Sequence, residues 1–220
     1  MLKKLLLVLT IVGGSISYAG EKSVQLSILP EFSLGATKED SISKFSFNIL
    51  GAINKDVTGL DLSLVGLRTV EGDFVGSHLS LIPIEKFTVK GDLYGGSLSL
   101  WNDINGKVNG RVFGVVNTVN EVNGSALGLV NLVNGNTTSV LGIFNKVEGQ
   151  AITTTGLITI VKGNVNNQFG LFNRAETVTG LQFGVINSTR NLDGVQIGLL
   201  NHATNGILPV LPLVNFRKTL

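Results

Sequence analysis

The sequence contains no cysteine, which excludes disulfides, thiolate chemistry and the lipid-modified cysteine of a bacterial lipoprotein. Histidine is almost as scarce. His78 and His202 stand far apart, without acidic or cysteine neighbours at metal-ligand spacing, and both read as ordinary surface residues. Trp101 is the only tryptophan and Tyr94 the only tyrosine beyond the N-terminal segment, so the aromatic girdles of an outer-membrane barrel are not written here. Charge is also thin, at 15% of residues, and the excess of 17 basic over 15 acidic residues is accounted for by Lys3 and Lys4. No basic face for nucleic acid follows from such a balance.

Only one long apolar run occurs, from Leu5 to Val12, behind Lys3-Lys4 and ahead of Ser17-Tyr18-Ala19. It is far shorter than the roughly 20 residues that span hydrocarbon, and its flanks are those of a secretory signal peptide. Residues 1–19 are therefore expected to be removed after Ala19, leaving one domain over residues 20–220.

What the chain has in abundance is glycine, 28 in all, and much of it is periodic. Gly114, Gly128, Gly142, Gly156, Gly170, Gly184 and Gly198 follow one another at a single constant interval. Two apolar residues follow each glycine, and then comes Asn117, Asn131, Asn145, Asn173, Asn187 or Asn201, with Thr159 the single substitute. Pro212-Leu213-Val214-Asn215 reads as one further step, with Pro in the glycine place. The unit is regular from about residue 110 to 216 and looser from 40 to 110, where Ser63, Ser80 and Ser99 take the glycine place and the spacing lengthens. Glycine and asparagine at this density weaken a helix, and so short a unit cannot hold a helical pair, so the units are strands and turns.

Two all-β architectures accommodate them. In a β-solenoid each unit is one coil, equivalent residues stack about 4.8 Å apart, and the asparagines form a ladder of amide hydrogen bonds between coils. In an up-and-down outer-membrane barrel each unit is one strand with its turn. Barrels normally pair short turns on one rim with long loops on the other, which equal units do not, so the solenoid of about 14-residue coils is the expected fold. Alternation in Leu181-Gln182-Phe183-Gly184-Val185 places Phe183 and Val185 inward and Gln182 outward. Ile186 then either faces outward, forming an apolar stripe with Val116, Val130, Phe144, Phe172 and Leu200, or follows a bend that takes both apolar residues into the core. The usual burial of Val, Ile and Phe favours the bend.

The unit Gly180-Leu181-Gln182-Phe183-Gly184-Val185-Ile186-Asn187, and the closing Asn205 to Phe216, resemble the bacterial surface-repeat proteins of spirochaetes. That resemblance implies a cell-surface or outer-membrane location and brings no functional residues with it. No catalytic, cofactor-binding or metal-binding residues are assigned. Asp61, Asp73, Asp92, Asp103, Glu121, Glu148, Glu176 and Asp193 are scattered and read as solvated turn charges, while no calcium nonapeptide, phosphate loop or nucleophile motif occurs. The expectation is an exported, non-enzymatic protein that binds a surface protein or glycan, or its own copies. A pore or scaffold in the outer membrane is the alternative, and an enzyme on a solenoid lacks convergent polar groups.

Overall fold

A computed structural model describes residues 20–82 and 84–218; the expected signal peptide lies outside the described residues. Within them the chain is strand and turn without helix, wound into a β-solenoid of about 11 turns of roughly 15 residues. The direction of pairing separates the two architectures. Ile158–Phe169 pairs in parallel with Phe172–Phe183, which pairs in parallel with Ile186–Leu192 and with Val195–Ala203. An up-and-down barrel requires antiparallel neighbours, so that alternative is overturned.

The looser N-terminal units are rungs of the same coil. Leu26 pairs with Phe47, Phe47 with Leu62, Leu62 with Leu79, Leu79 with Leu98 and Leu98 with Phe113, all in parallel. Both ends reverse direction. Phe32–Leu34 runs antiparallel to Glu21–Leu29, and Val210–Phe216 runs antiparallel to Val195–Ala203. The last segment is therefore a cap and not a further rung, which corrects the reading of Pro212 to Asn215. Asn215 lies opposite Gln196, is buried, and donates its Nδ2 to the Leu208 carbonyl oxygen at 3.1 Å rather than joining the asparagine column.

Inside and outside are the reverse of the amphipathic expectation. Gln182 is fully buried, while Phe183 is 53% exposed and Val185 and Ile186 also face out. In the glycine-marked rungs the core consists of columns of aliphatic residues, such as Val119, Val133, Val147 and Val161, and Val165, Val178 and Leu192, together with columns of amides. The chain does bend beside each glycine, but in the opposite sense: both residues after the glycine point away from the core. The stripe therefore exists, and the placement of Ile186 and its column in the core is overturned.

The glycines are fixed by close approach. A Cβ on Gly184 would lie 2.1 Å from the Gly170 carbonyl oxygen and 2.4 Å from Asn173 Nδ2, and the other six meet a preceding-rung carbonyl or an asparagine amide at 2.8 Å or less. No side chain fits between the rung below and the asparagine amide. Upstream, Gly76 carries a second constraint, a φ of +138°, in a column where Gly59 and Gly95 also have positive φ.

Candidate functional site

The asparagine column is a hydrogen-bonded ladder in two runs. Asn102 Nδ2 donates to Asn117 Oδ1 at 2.8 Å, Asn117 to Asn131 at 2.7 Å, and Asn131 to Asn145 at 2.8 Å. Thr159 Oγ1 then donates to Asn173 Oδ1 at 2.7 Å, Asn173 to Asn187 at 2.9 Å, and Asn187 to Asn201 at 2.8 Å. Between the runs, Asn145 donates to the Thr155 carbonyl oxygen at 2.7 Å. The second amide hydrogen also meets backbone, as where Asn187 Nδ2 reaches the Ile197 carbonyl oxygen at 2.9 Å. Each side chain thus satisfies itself and stitches one rung to the next, a structural role.

Sequence reasoning missed a second ladder. Gln196 Nε2 donates to Gln182 Oε1, and Gln182 Nε2 to Gln168 Oε1, both at 2.7 Å. The glutamine amides donate toward the N-terminal end and the asparagine amides toward the C-terminal end, so their dipoles oppose one another.

The column occupied by Gln182 continues upstream as Ser97, His78, Asp61 and Ser46, and there it carries charge. Asp61 Oδ2 accepts from Arg68 Nε at 2.9 Å and faces His78 Nδ1 at 2.8 Å, while His78 Nε2 faces Glu85 Oε2 at 3.2 Å; all four side chains are buried. Reading His78 as a surface residue and Asp61 as a turn charge is corrected by this burial. Burial raises the Asp61 carboxyl, but Arg68 and His78 outweigh it and hold it well below the usual carboxylate range. Burial likewise lowers His78, and hydrogen bonds to Asp61 and Glu85 outweigh it and raise the imidazole above its ordinary value. A ring with a carboxylate at each nitrogen donates on both sides only as imidazolium. Two acids then balance two bases, with Phe87 stacked on His78 at 3.9 Å between ring centres. The set is closed to any substrate, and it serves cohesion.

The surface bears the feature that calls for a partner. Around the glycine corner the residue before the glycine and the two after it face outward, rung upon rung. Leu157, Leu171, Val185 and Leu199 form one column, exposed by 37% to 68%; Ile158, Phe172, Ile186 and Leu200 form the next, and Phe183 and Ile197 stand on the other side of the corner. In the glycine-marked rungs Thr155 is the only polar member of these three columns. About 11 rungs stacked roughly 4.8 Å apart make an apolar edge about 50 Å long, and three residues of about 3.3 Å make it about 10 Å wide. About 500 Å² of contiguous apolar surface is at the upper end of what monomers show.

Charge lies elsewhere on the coil. Glu148 bridges Lys146 and Lys162, each at 2.7 Å, and Glu176 meets Arg190 at 3.3 Å, around the side that leads away from the glycine corner. His202 sits on that face, exposed, as the sequence indicated. The acidic side chains Asp73, Asp92, Asp103, Glu121, Glu148, Glu176 and Asp193 are not buried, as expected of solvated charges. Among the described residues, no group of His, Asp and Glu is arranged to hold a metal ion, and no helix is long and apolar enough to cross a membrane. No family model, curated protein or solved structure matches this chain.

Proposed function

We propose that this is an exported, non-enzymatic repeat protein of the cell surface or outer membrane, with a structural or adhesive role, which binds through the apolar edge of its rod. The observation that carries the reading is that edge, one face of a solenoid whose buried Asn and Gln side chains are largely committed to its own ladders. Covering about 500 Å² at roughly 25 cal/mol per Å² contributes on the order of 12 kcal/mol before the entropic cost of association is subtracted. The signal-peptide pattern and the resemblance to surface-repeat proteins support the location.

The test is to replace Leu157, Leu171 and Leu199, all exposed, with serine. The variant should unfold within a few degrees of the parent, because exposed side chains away from special features contribute little to stability. It should also be lost from the cell envelope under washes that leave the parent bound. Envelope retention equal to the parent's, or a collapse of the fold, would overturn the reading.

A further inference from the structure

The charges beside the apolar edge are placed unevenly. An open groove of about 630 Å³ runs along the rungs next to the edge, and Lys146, Lys162, Arg174 and Arg190 line it. Glu148 and Glu176 are the acids beside these four bases, which leaves an excess of two positive charges before His202 is counted. Arg174 makes no ion pair among the described residues. It lies two residues beyond Phe172 on the same strand, so the groove begins roughly 6 to 7 Å from the apolar column. Amphipathic elements at a membrane surface bury their apolar side by roughly 5–10 Å, which sets their basic residues at the level of the headgroups.

We infer that the apolar edge is seated on an anionic lipid surface, with the groove of Lys146, Lys162, Arg174 and Arg190 holding headgroup phosphates. The inference rests on the edge being a binding face and names what covers it. A second copy fits less well. The opposite flank carries Ser139, Thr153, Asn167, Leu181 and Val195 in the corresponding rungs, with Ser125 and Arg111 earlier in the same column and no acid in it. Two parallel rods set the groove against that neutral flank; two antiparallel rods set it against itself or against earlier rungs, where Asp103 and Glu71 are already paired with Lys86 and Lys90. Only a surface with its own negative charge neutralises it.

Vesicle flotation of the purified protein distinguishes the possibilities, using neutral phosphatidylcholine and phosphatidylcholine mixed with phosphatidylglycerol. The parent should partition roughly tenfold or more in favour of the anionic vesicles at low salt, since each basic residue near such a surface contributes about fivefold. A variant carrying Lys162→Gln, Arg174→Gln and Arg190→Gln should lose that preference while keeping the weaker binding to neutral vesicles. The Leu157, Leu171 and Leu199 serine variant should bind neither. Inorganic phosphate at millimolar concentration should not release the parent, because a free anion lacks the apolar contact. Equal binding to both vesicle types would overturn the headgroup assignment and leave the apolar edge standing. Absence of vesicle binding overturns the lipid assignment, and sedimentation then decides the rest: a dimer that the serine variant abolishes makes the second copy the occupant, and a monomer removes the support for the edge itself.

Discussion

The two ends of one coil solve the same packing problem with different chemistry. Between Gly59 and Gly95 the rungs are long: Asp61 is 17 residues from His78, its neighbour in the next rung, and Asp73 is 19 from Asp92. Their interior holds Phe74, Phe87, Arg68 and His78. From Gly114 onward the step is 14 residues, and the interior shrinks to valines, alanines, threonines, amides and a single leucine, Leu192. A longer rung encloses a wider section, so it must be filled by larger side chains, and a buried cation there needs a buried acid. A 14-residue rung leaves room for an amide column that repeats identically. The glycine place tracks this choice. Ser63 and Ser80 occupy it where Arg68 and Phe87 hold the asparagine column. Ser99 marks the change-over, its hydroxyl donating to Asn102 Oδ1 at 3.0 Å. Glycine occupies the place in the rungs beyond, because there the amide fills the space a Cβ would need.

Breaking the charged interior should have the largest effect. Asp61→Ala leaves Arg68 and His78 buried without their shared carboxylate, which costs roughly 3–5 kcal/mol when one partner of a buried pair is removed. Chemical denaturation should show it, and a loss under about 1 kcal/mol would mean that the cluster contributes little cohesion. The same cluster sets a pH dependence. His78 is raised above its ordinary value near 6.5, so its contribution is fully present below that pH and lost as pH climbs through the higher folded value. The melting temperature of the parent should therefore fall more steeply above about pH 6.5 than that of His78→Gln.

In the amide region, Asn187→Asp should cost several kcal/mol at pH 7, because a carboxylate there has lost the donor toward Asn201 and lies buried without a cation. The penalty should shrink at pH 4, where the acid binds a proton. Gln182→Glu belongs with it, since Gln182 is buried in the second ladder and should show the same pH-relieved loss. Parent-like melting of both variants at pH 7 would argue that the ladders are solvated.

A smaller contrast concerns two glycines. Gly184→Ala drives a Cβ against the Gly170 carbonyl and should cost about 2 kcal/mol or more as the rungs part. Gly96→Ala meets nothing closer than the Arg111 carbonyl oxygen at 3.6 Å and should stay within about 0.5 kcal/mol of the parent. Equal effects would show that stacking distance is not what selects glycine.

Much of this was legible in the residues themselves. The spacing of Gly114 to Gly198 set the rung length, and the asparagine three residues after each glycine marked a ladder that the structure contains, apart from Asn215 and the gap at Thr159. The charged cluster was harder to see, although Asp61, His78 and Gln182 share one place in the unit, one residue before the apolar residue that precedes the glycine or serine. Treating polar identity as outward orientation hid all three. Alternation counted inward from the glycine would have placed them in the core, because Gly184 points its missing side chain the same way as Gln182.

The sequence by itself determined an all-β repeat protein, its period, the place of its turns and the residues that repeat; the parallel pairing that makes it a coil and not a barrel came from the structure. Only the tertiary structure decided which side of the strand is the inside. A single strand of Leu181 to Asn187 carries no sign of that choice, since hydrophobicity alone would bury Phe183 and expose Gln182. Stacking at the spacing of a parallel sheet gives the Gln182 and Asn187 amides partners in the neighbouring rungs, so burying them costs little, and the narrow 14-residue section holds valine where it would not hold phenylalanine. The bulky apolar residues are then left outside, where a rung has no means of covering them.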